Sequence, residues 1–417
     1  MDTGYNIFIL GGMQKNAVGI DVSKGKSMIS VMRPFGEVVT VPFEISHTAS
    51  ELGQLADYLK SLDGETRVIM EYTGKYFQPI ANYLHEAGLF VSVVNAILVH
   101  DYGGNTIRRV KTDKKDAIKI ANYGLDRWID LAEYIPEDDV RQMLKTFNRQ
   151  YNQYIKLKVM LKNNLISLLD QTFPDVNTLF SSPTRADGHE KWIDFGAKFW
   201  HCECVCGLSQ NAFKERYAKW CSKNGYNYSA NKSEDIYVAS SGHIDTLPKN
   251  DSTKLLITQS IFQLNAIAET LAAVINEMRF LSAMLPEYSV VMSMYGVGGT
   301  LGPQLIAEIG DVRRFHSKFA LIAFAGIDAP PYQSGTFEAK SRSISKRGSS
   351  SLRKTLFQVM SCCLIKAPED DAVFQYLDKK RGEGKHYYVY MMAGANKFLR
   401  IYYARVKEYF DTVELER

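Results

Sequence analysis

The chain has 417 residues, a formal net charge of +4, 46% hydrophobic residues and 23% charged residues. This composition is ordinary for a soluble globular protein, and the length predicts two or three domains. So small a net charge does not by itself indicate a nucleic-acid partner. The sequence shows no secretory signal, and its uncharged stretch at 288–307 is interrupted by glycines, Ser and Gln. We therefore expect a cytoplasmic protein without a membrane span.

The first third of the chain alternates short apolar runs with amphipathic segments. The pattern predicts the following order: strands near 17–22, 27–33 and 37–43, a helix near 49–61, a strand ending at Glu71, a helix near 77–87, a strand over 90–95 and a helix starting at Thr112. This is the element order of a ribonuclease-H-like α/β domain. We place that domain at 16–130.

Four carboxylates occupy prominent positions in this domain. Asp21 and Glu71 each end a short apolar strand, whereas Asp113 and Asp116 follow the predicted N-cap Thr112 and share one helical face. Mg²⁺ prefers carboxylate oxygens, and two such ions clamp the attacking and leaving oxygens of phosphoryl transfer. The four acids therefore predict a Mg²⁺ site that acts on a phosphodiester. The alternative is that they are ordinary surface acids.

Two segments concentrate positive charge. The first contains Arg108, Arg109, Lys111, Lys114, Lys115 and Lys119, and the second contains Lys340, Arg342, Lys346, Arg347, Arg353 and Lys354. The only acids within the first segment are the two candidate ligands, and the second has none. Such clusters attract nucleic-acid phosphates, although a solvated charged face is the alternative for either one.

The middle of the chain, 138–284, contains two long predicted helices. Apolar residues spaced alternately by four and three positions over 144–168 and 257–278 predict a coiled-coil seam, so the helices pair with each other or with another subunit. An aromatic-rich insert of low regularity at 173–250 separates them, and we assign it no function. It contains His201 with three nearby cysteines, a pattern that suggests zinc. The absence of a second pair at finger spacing favours reduced structural thiols.

The last third, 285–417, is predicted to be a mainly helical domain. It opens with a glycine hairpin containing Gly296 and Gly298, which leads into a helix over 301–309. Such a hairpin can present backbone N–H groups to a phosphate, as helix-hairpin-helix elements do, or it can be a tight interhelical turn. A buried helix over 319–327, a loop over 330–336 and the second basic segment follow.

In combination, these motifs resemble the DEDD-type transposases of bacterial insertion sequences related to the Piv DNA invertases, now described as bridge-RNA-guided serine recombinases. The segments similar to that family's RuvC-like N-terminal domain are 19–24, 71–74 and 111–117. Those similar to its C-terminal transposase domain are 296–298, 323–326, 333–335 and 344–348. This chain departs from the family pattern in a longer insert between the long helices and in Thr336 after Gly335.

The resemblance implies a composite active site. Asp21, Glu71, Asp113 and Asp116 would hold Mg²⁺, while Ser334 would attack phosphorus and become linked to the DNA end. It also implies donor and target DNA, a guide (bridge) RNA and a homo-oligomer, dimer or tetramer, as partners. The basic residues Arg342, Lys346 and Arg347 would then hold backbone phosphate or guide RNA.

Two other hypotheses remain open at this stage. A junction-resolving nuclease would use the same carboxylates with water as the nucleophile, and would leave no protein–DNA adduct. A non-enzymatic nucleic-acid-binding protein would use only the basic segments and the glycine hairpin, so that neutralising the acids would leave its activity intact.

Overall fold

A computed structural model describes residues 14–72, 74–102, 112–185, 188–331 and 342–415, and the backbone of residues 333–334 and 337–338. The chain divides into two compact units, Met1–Pro136 and Glu137–Arg417. In the described part of the chain, no helix combines the length and the apolar character needed to cross a bilayer.

The described residues of the first unit form a five-stranded sheet with helices on both faces. Its elements are β1 (Lys15–Ser23), β2 (Lys26–Arg33), β3 (Glu37–Ser46), α1 (Ala49–Lys60), β4 (Glu65–Glu71), α2 (Gln78–Glu86), β5 (Phe90–Val94), α3 (Ala96–Tyr102) and α4 (Asp113–Asp126). The strand order is β3-β2-β1-β4-β5, with β2 antiparallel to its neighbours and β1, β4 and β5 parallel. The predicted element order is confirmed apart from one additional helix, and this mixed sheet fits the ribonuclease-H-like expectation. The prediction missed α3, which Asn95 introduces by accepting a hydrogen bond from the backbone N–H of Ile97.

Alternate residues of β1 face opposite sides of this sheet. Val18 and Ile20 lie in an apolar cluster with residues of α1 and α2, whereas Ala17 clusters with residues of α4. Gly19 faces the same side of the sheet as Ala17, because residues two apart in a strand share a face. A Cβ at Gly19 would lie 2.1 Å from the backbone oxygen of Ala117. Glycine at this position therefore allows α4 to pack directly on the strand backbone.

The second unit is mainly helical. Its elements are α5 (Asp139–Leu169), α6 (Lys191–Lys198), α7 (Glu203–Cys206), α8 (Gln210–Lys223), α9 (Ala230–Gly242), α10 (Asp251–Ala283), α11 (Tyr288–Met292), α12 (Leu301–Ile309), α13 (Lys318–Ala325), β6 (Gln333–Ser334), β7 (Phe337–Glu338), α14 (Ser350–Lys366), α15 (Ala372–Gly382) and α16 (Tyr387–Leu415). The predicted long helices correspond to α5 and α10, which pack against each other within the chain. The apolar seam is therefore used inside one subunit, and pairing between subunits stays a prediction.

The insert between the long helices is more regular than the sequence suggested. It contains α6 to α9, and its aromatic residues form an apolar core with the adjoining parts of α5 and α10. Phe195 lies at the centre of this core, 4.7 Å from Phe199 and 5.7 Å from Trp220 between ring centroids. The expectation of low regularity was wrong because the polar stretches between the aromatic residues form solvent-facing helical surfaces and end caps.

A buried ion pair in the second unit joins the start of α5 to the residue that precedes α11. Arg141 and Glu287 are 5% and 1% exposed, and their side chains form a bidentate pair in which Arg141 Nη2 donates to Glu287 Oε2 at 2.9 Å. Asp138 adds a contact of 2.9 Å to Arg141 Nε. Opposite charges at this depth are stabilised only while both partners are present.

We expect Glu287→Gln to lower the unfolding free energy of the second unit by about 3–5 kcal/mol, because the buried Arg141 charge would lose its buried carboxylate and keep only the half-exposed Asp138. Urea unfolding followed by tryptophan fluorescence would measure this loss. The exposed pair of Lys380 and Glu383 supplies the control, since Glu383→Gln should leave the unfolding midpoint unchanged. Equal midpoints for both variants would contradict a structural role for the buried pair.

Candidate functional site

Asp21 and Glu71 lie side by side where the C-terminal ends of β1 and β4 meet one edge of the sheet, at the ends of its strands. In the parallel pairing of β1 with β4, Ile20 is opposite Met70, so Asp21 and Glu71 occupy the next equivalent positions. Neighbouring strands are about 4.8 Å apart, and residues in equivalent positions point to the same face. That face is the one covered by α4, because Asp21 follows Gly19 by two residues.

The packing of α4 brings its N-terminus towards the same edge. Ala17 clusters with Ala121. Two residues further towards the C-terminal end of β1, Gly19 lies against both Ala117 and Ala121. The direction from Ala17 to Gly19 is thus the direction from Ala121 back towards Ala117. Two more residues of strand advance about 7 Å, and one more turn of helix about 5.4 Å. The first turn of α4 therefore lies on the Asp21 side of the sheet.

This first turn carries the other two acids. Thr112 caps the helix by accepting a hydrogen bond from the backbone N–H of Lys115, which places Asp113 and Asp116 in the first turn. The pKa of Lys26 at the start of β2 is raised mainly by its hydrogen bond to Glu44, with a smaller contribution from the charge of Asp113. That contribution supports the position of Asp113 near the β1–β2 turn. The structure thus brings all four predicted acids to one edge of the first unit.

The chemistry of this donor set fits a hard divalent cation. All four groups are carboxylates, of which Asp21, Glu71 and Asp116 are half-buried and Asp113 is exposed. Their oxygens do not form a group of three within 4.8 Å of one another. Asp113 and Asp116 also stabilise α4 by opposing its dipole.

Among the described residues, the one group of three candidate ligands within 4.8 Å is His201, Glu203 and Asp245 in the insert. His201 already uses both ring nitrogens. Nδ1 accepts from the backbone N–H of Glu203 at 3.2 Å, and Nε2 lies 3.1 Å from the backbone oxygen of Leu247 and 3.1 Å from Asp245 Oδ2. These contacts give the buried ring a structural role.

The nearby cysteines are free thiols. Burial raises the pKa of Cys202 to about 12, and it also raises the pKa values of Cys204 and Cys221. A protonated thiol is a poor metal ligand and a poor nucleophile. These observations support packing as the role of the cysteines.

The side chain of Ser334 lies outside the described residues. The backbone of β6, which contains Ser334, pairs antiparallel with β7, with Ser334 opposite Phe337. The sequence motifs on either side of this hairpin are described in full. Residues 330–341, which contain Ser334, are called the Ser334 segment. The two motifs show how its ends are held in the second unit.

Both ends are fastened to each other by short polar contacts. The backbone N–H of Ser345 donates to the backbone oxygen of Asp328 at 2.8 Å, and that of Lys346 donates to Gly326 at 3.0 Å. The hydroxyl of Ser345 also donates to the Asp328 carboxylate. A Cβ at Gly348 would lie 2.3 Å from the backbone oxygen of Phe324. The two predicted motifs 323–326 and 344–348 therefore form one closed base.

The predicted basic residues have different surroundings. Lys114, Lys115, Arg342, Lys346 and Arg347 are exposed, as phosphate contacts require. Arg353 is half-buried, and its guanidinium donates to the backbone oxygens of Ala325 at 3.0 Å and Gly348 at 3.2 Å. Arg353 thus helps to close the base of the Ser334 segment. Arg108, Arg109, Lys111 and Lys340 lie outside the described residues.

The two hairpin glycines also differ. Gly296 is buried with φ 78°, and a Cβ there would lie 2.6 Å from Cys363 Sγ and 2.7 Å from the backbone oxygen of Val359. Close packing on α14 is thus a structural reason for this glycine. Gly298 is exposed with open space around it, so it stays a predicted phosphate contact.

Sequence reasoning missed the lysines next to the strand acids. Lys24 and Lys26 flank the β1–β2 turn, and Lys75 follows the end of β4 by four residues; all three are exposed. They place positive charge at the same end of the sheet as Asp21 and Glu71. The sequence could have indicated these lysines, because each lies within five residues of Asp21 or Glu71.

Comparison with known families gives two matches. Residues 18–174 match the DEDD transposase model of IS110, and residues 288–375 match the transposase model of the IS116/IS110/IS902 family. The first match contains the four acids, and the second contains Ser334 and the base of its segment.

Individual relatives are more distant in sequence. The chain is 24% identical to the pilin gene-inverting protein of Moraxella bovis over 342 residues, covering 82% of this chain and 80% of the relative. It is 21% identical to the protein of the same name from Moraxella lacunata, with the same coverage. It is also 20% identical to the insertion element IS110 uncharacterized 43.6 kDa protein of Streptomyces coelicolor, covering 94% of each chain.

The close contact at Gly19 yields a prediction about the acidic edge. Gly19→Ala should displace α4, destabilise the first unit by about 1–3 kcal/mol and weaken divalent-cation binding, because the added methyl group overpacks the contact. Titration calorimetry with Mg²⁺, together with thermal unfolding, would measure both effects.

Gly382→Ala is the matched control, since nothing lies within 4 Å of a Cβ at that helical position. It should leave cation affinity unchanged. Native stability and native cation affinity in Gly19→Ala would contradict the proposed dependence of the acidic edge on this contact.

Proposed function

From the premise that this chain is an IS110-family transposase, and therefore an enzyme of DNA recombination, we propose that it cuts and rejoins DNA through a covalent phosphoserine intermediate. In this proposal Asp21, Glu71, Asp113 and Asp116 hold Mg²⁺, and Ser334 is the nucleophile. The observation that carries the proposal is the convergence of the four acids on one edge of the first unit.

The acids have a defined chemical task in this proposal. Their carboxylates would hold Mg²⁺, which when bound neutralises charge on the phosphate oxygens and lowers the pKa of a coordinated hydroxyl. The exposed Lys24 and Lys75 would attract the DNA backbone to the same edge. Acids within a basic rim can bind a phosphodiester that the acids alone would repel.

The serine provides an attacking atom that stays attached to the product. Ser334 Oγ loses its proton and forms a bond to phosphorus, the bond from phosphorus to one sugar oxygen breaks, and the leaving sugar oxygen takes up a proton. The resulting phosphoserine retains the energy of a phosphodiester, so the reverse attack by another DNA end can rejoin strands without ATP. A serine hydroxyl is a weak nucleophile unless a metal or a base activates it.

The proposal also includes partners. The family resemblance supports a guide RNA that selects donor and target DNA, and a homo-oligomer that brings two DNA segments together. Exposed Lys114, Lys115, Arg342, Lys346 and Arg347 supply charge for these nucleic acids. Sequence selection by base pairing would leave the protein to contact mainly backbone.

The acids are tested by single neutral substitutions. Asp21→Asn, Glu71→Gln, Asp113→Asn and Asp116→Asn should each reduce strand cleavage by about two orders of magnitude or more, as expected when a group stabilising transition-state charge is removed. Cleavage of labelled DNA in Mg²⁺ would be compared at equal protein and guide RNA.

Asp130→Asn is the control, because Asp130 is an exposed acid of the same unit that pairs with Arg127 at the surface. It should cleave normally. Wild-type cleavage by any two of the four variants would defeat the metal assignment.

The serine is tested by trapping the intermediate. With guide RNA, DNA and Mg²⁺, the chain should form a covalent DNA adduct that peptide mapping places on Ser334. Ser334→Ala should bind both nucleic acids but yield neither adduct nor recombinants, whereas Ser350→Ala should yield both. Free phosphate ends without an adduct would instead indicate a nuclease that uses water.

A further inference from the structure

A cleft of about 880 Å³ lies in the second unit next to the base of the Ser334 segment. One wall contains Ile327 and Ala329, which precede the segment, and Arg342 to Lys346, which follow it. The other wall is formed by α15 and α16. The cleft therefore adjoins both ends of the segment that carries the proposed nucleophile.

The charges in the cleft have one sign. Arg342, Lys346, Lys397 and Arg400 line it, and no lining residue is acidic. In the part of the chain that the structure describes, no carboxylate forms an ion pair with Lys346, Lys397 or Arg400. Unneutralised cations at this density favour an anionic ligand, and a phosphate backbone is the anion that the proposed reaction provides.

An aromatic platform lies beside these cations. Tyr388 is 63% exposed, and its ring lies 5.8 Å from that of Phe357 and stacks with His386 at 5.7 Å. These neighbours support the ring and leave much of it accessible to solvent. An exposed, supported aromatic ring is the surface on which unpaired bases stack in single-strand binding proteins. Base-paired DNA, whose bases are already stacked, would gain little from it.

Asn396 adds a neutral polar group to the lining of the cleft. Its amide offers both hydrogen-bond donors and an acceptor, so it can pair with a base edge. Residues 393, 396, 397 and 400 recur at helical spacing and lie on one face of α16. The cations and the amide are thus carried by a single rigid element.

The size of the cleft indicates what it can hold. Pockets of about 300–1,000 Å³ take one compact organic ligand, a size that suits a few nucleotides of an unstacked strand. Phosphate contacts, a stacking surface and a polar amide then occur at the scale of single nucleotides.

We infer that this cleft binds an unpaired stretch of the DNA strand that is being cut, with Tyr388 stacking on a base and Lys397 and Arg400 contacting phosphates. The inference rests on the proposed function, because proximity to the Ser334 segment identifies the strand as DNA. Binding here would hold the strand open next to the point of attack.

The test measures binding apart from chemistry. The full chain carrying Ser334→Ala would be titrated against fluorescent single-stranded oligo-dT, oligo-rU of equal length and a DNA duplex, with anisotropy as the readout. Tyr388→Leu should weaken oligo-dT binding by about fivefold or more, because it removes a stacking surface. Tyr388→Phe should bind normally, since it keeps the ring.

The cation contacts have their own signature. Log affinity falls with log salt concentration, and Lys397→Gln should make this slope less negative by about 0.7, the value for one phosphate contact to a single strand. Tyr388→Leu should leave that slope unchanged. The controls are Tyr228→Leu and Lys223→Gln, which alter exposed residues of the insert and should change neither affinity nor slope.

Several results would overturn the inference. It fails if oligo-dT does not bind, if the cleft variants bind like the controls, or if they weaken duplex binding equally. A loss confined to oligo-rU would assign the cleft to RNA instead. Failure of the proposed function is distinguishable, since absence of a Ser334 adduct in the wild-type chain would leave these binding differences intact.

Discussion

The close contact between α4 and the central strand is the constraint on which the acidic edge depends. Gly19 has no Cβ, and any Cβ there would lie 2.1 Å from the backbone oxygen of Ala117 and 2.4 Å from the nitrogen of Ala121. This contact sets both the depth and the direction of α4 on the sheet. Asp113 and Asp116 reach the edge that holds Asp21 and Glu71 only because the helix lies in this direction. Gly19, which has no side chain, therefore determines where the four acidic side chains lie relative to one another.

A comparable constraint acts in the second unit, at the base of the Ser334 segment. Gly326 adopts φ 65° at the end of α13, and Gly348 lies against the same turn, so the chain leaves and returns at nearly one place. Arg353 holds this base together by donating hydrogen bonds to the backbone oxygens of Ala325 and Gly348. The cleft lined by Tyr388 and Arg400 lies against this base, so the proposed strand-binding surface and the proposed nucleophile share one support.

The structure adds a structural role to two predicted nucleic-acid contacts and corrects the expectation for the insert. Gly296 and Arg353 were predicted to contact nucleic acid, and the structure shows a packing contact for the first and backbone hydrogen bonds for the second. The insert, expected to be irregular, has a core of stacked and edge-on aromatic rings around Phe195. In each case the local sequence showed the residue type correctly. The contacts that give each residue its structural role became visible only in the folded chain.

The sequence by itself determined the strand and helix order of the first unit, the two long helices and the identity of the candidate acids, because these depend on local periodicity, capping and apolar runs. Thr112 and the spacing of Asp113 and Asp116, for example, predict a shared helical face without any tertiary information. Only the tertiary structure decided that this face reaches the edge holding Asp21 and Glu71, since the direction of α4 depends on its contact with Gly19 about a hundred residues earlier. Tertiary structure likewise brought Lys397 and Arg400 into one cleft with Ile327 and Arg342. Contacts between residues so far apart leave no mark in local periodicity, because they arise from the packing of whole elements.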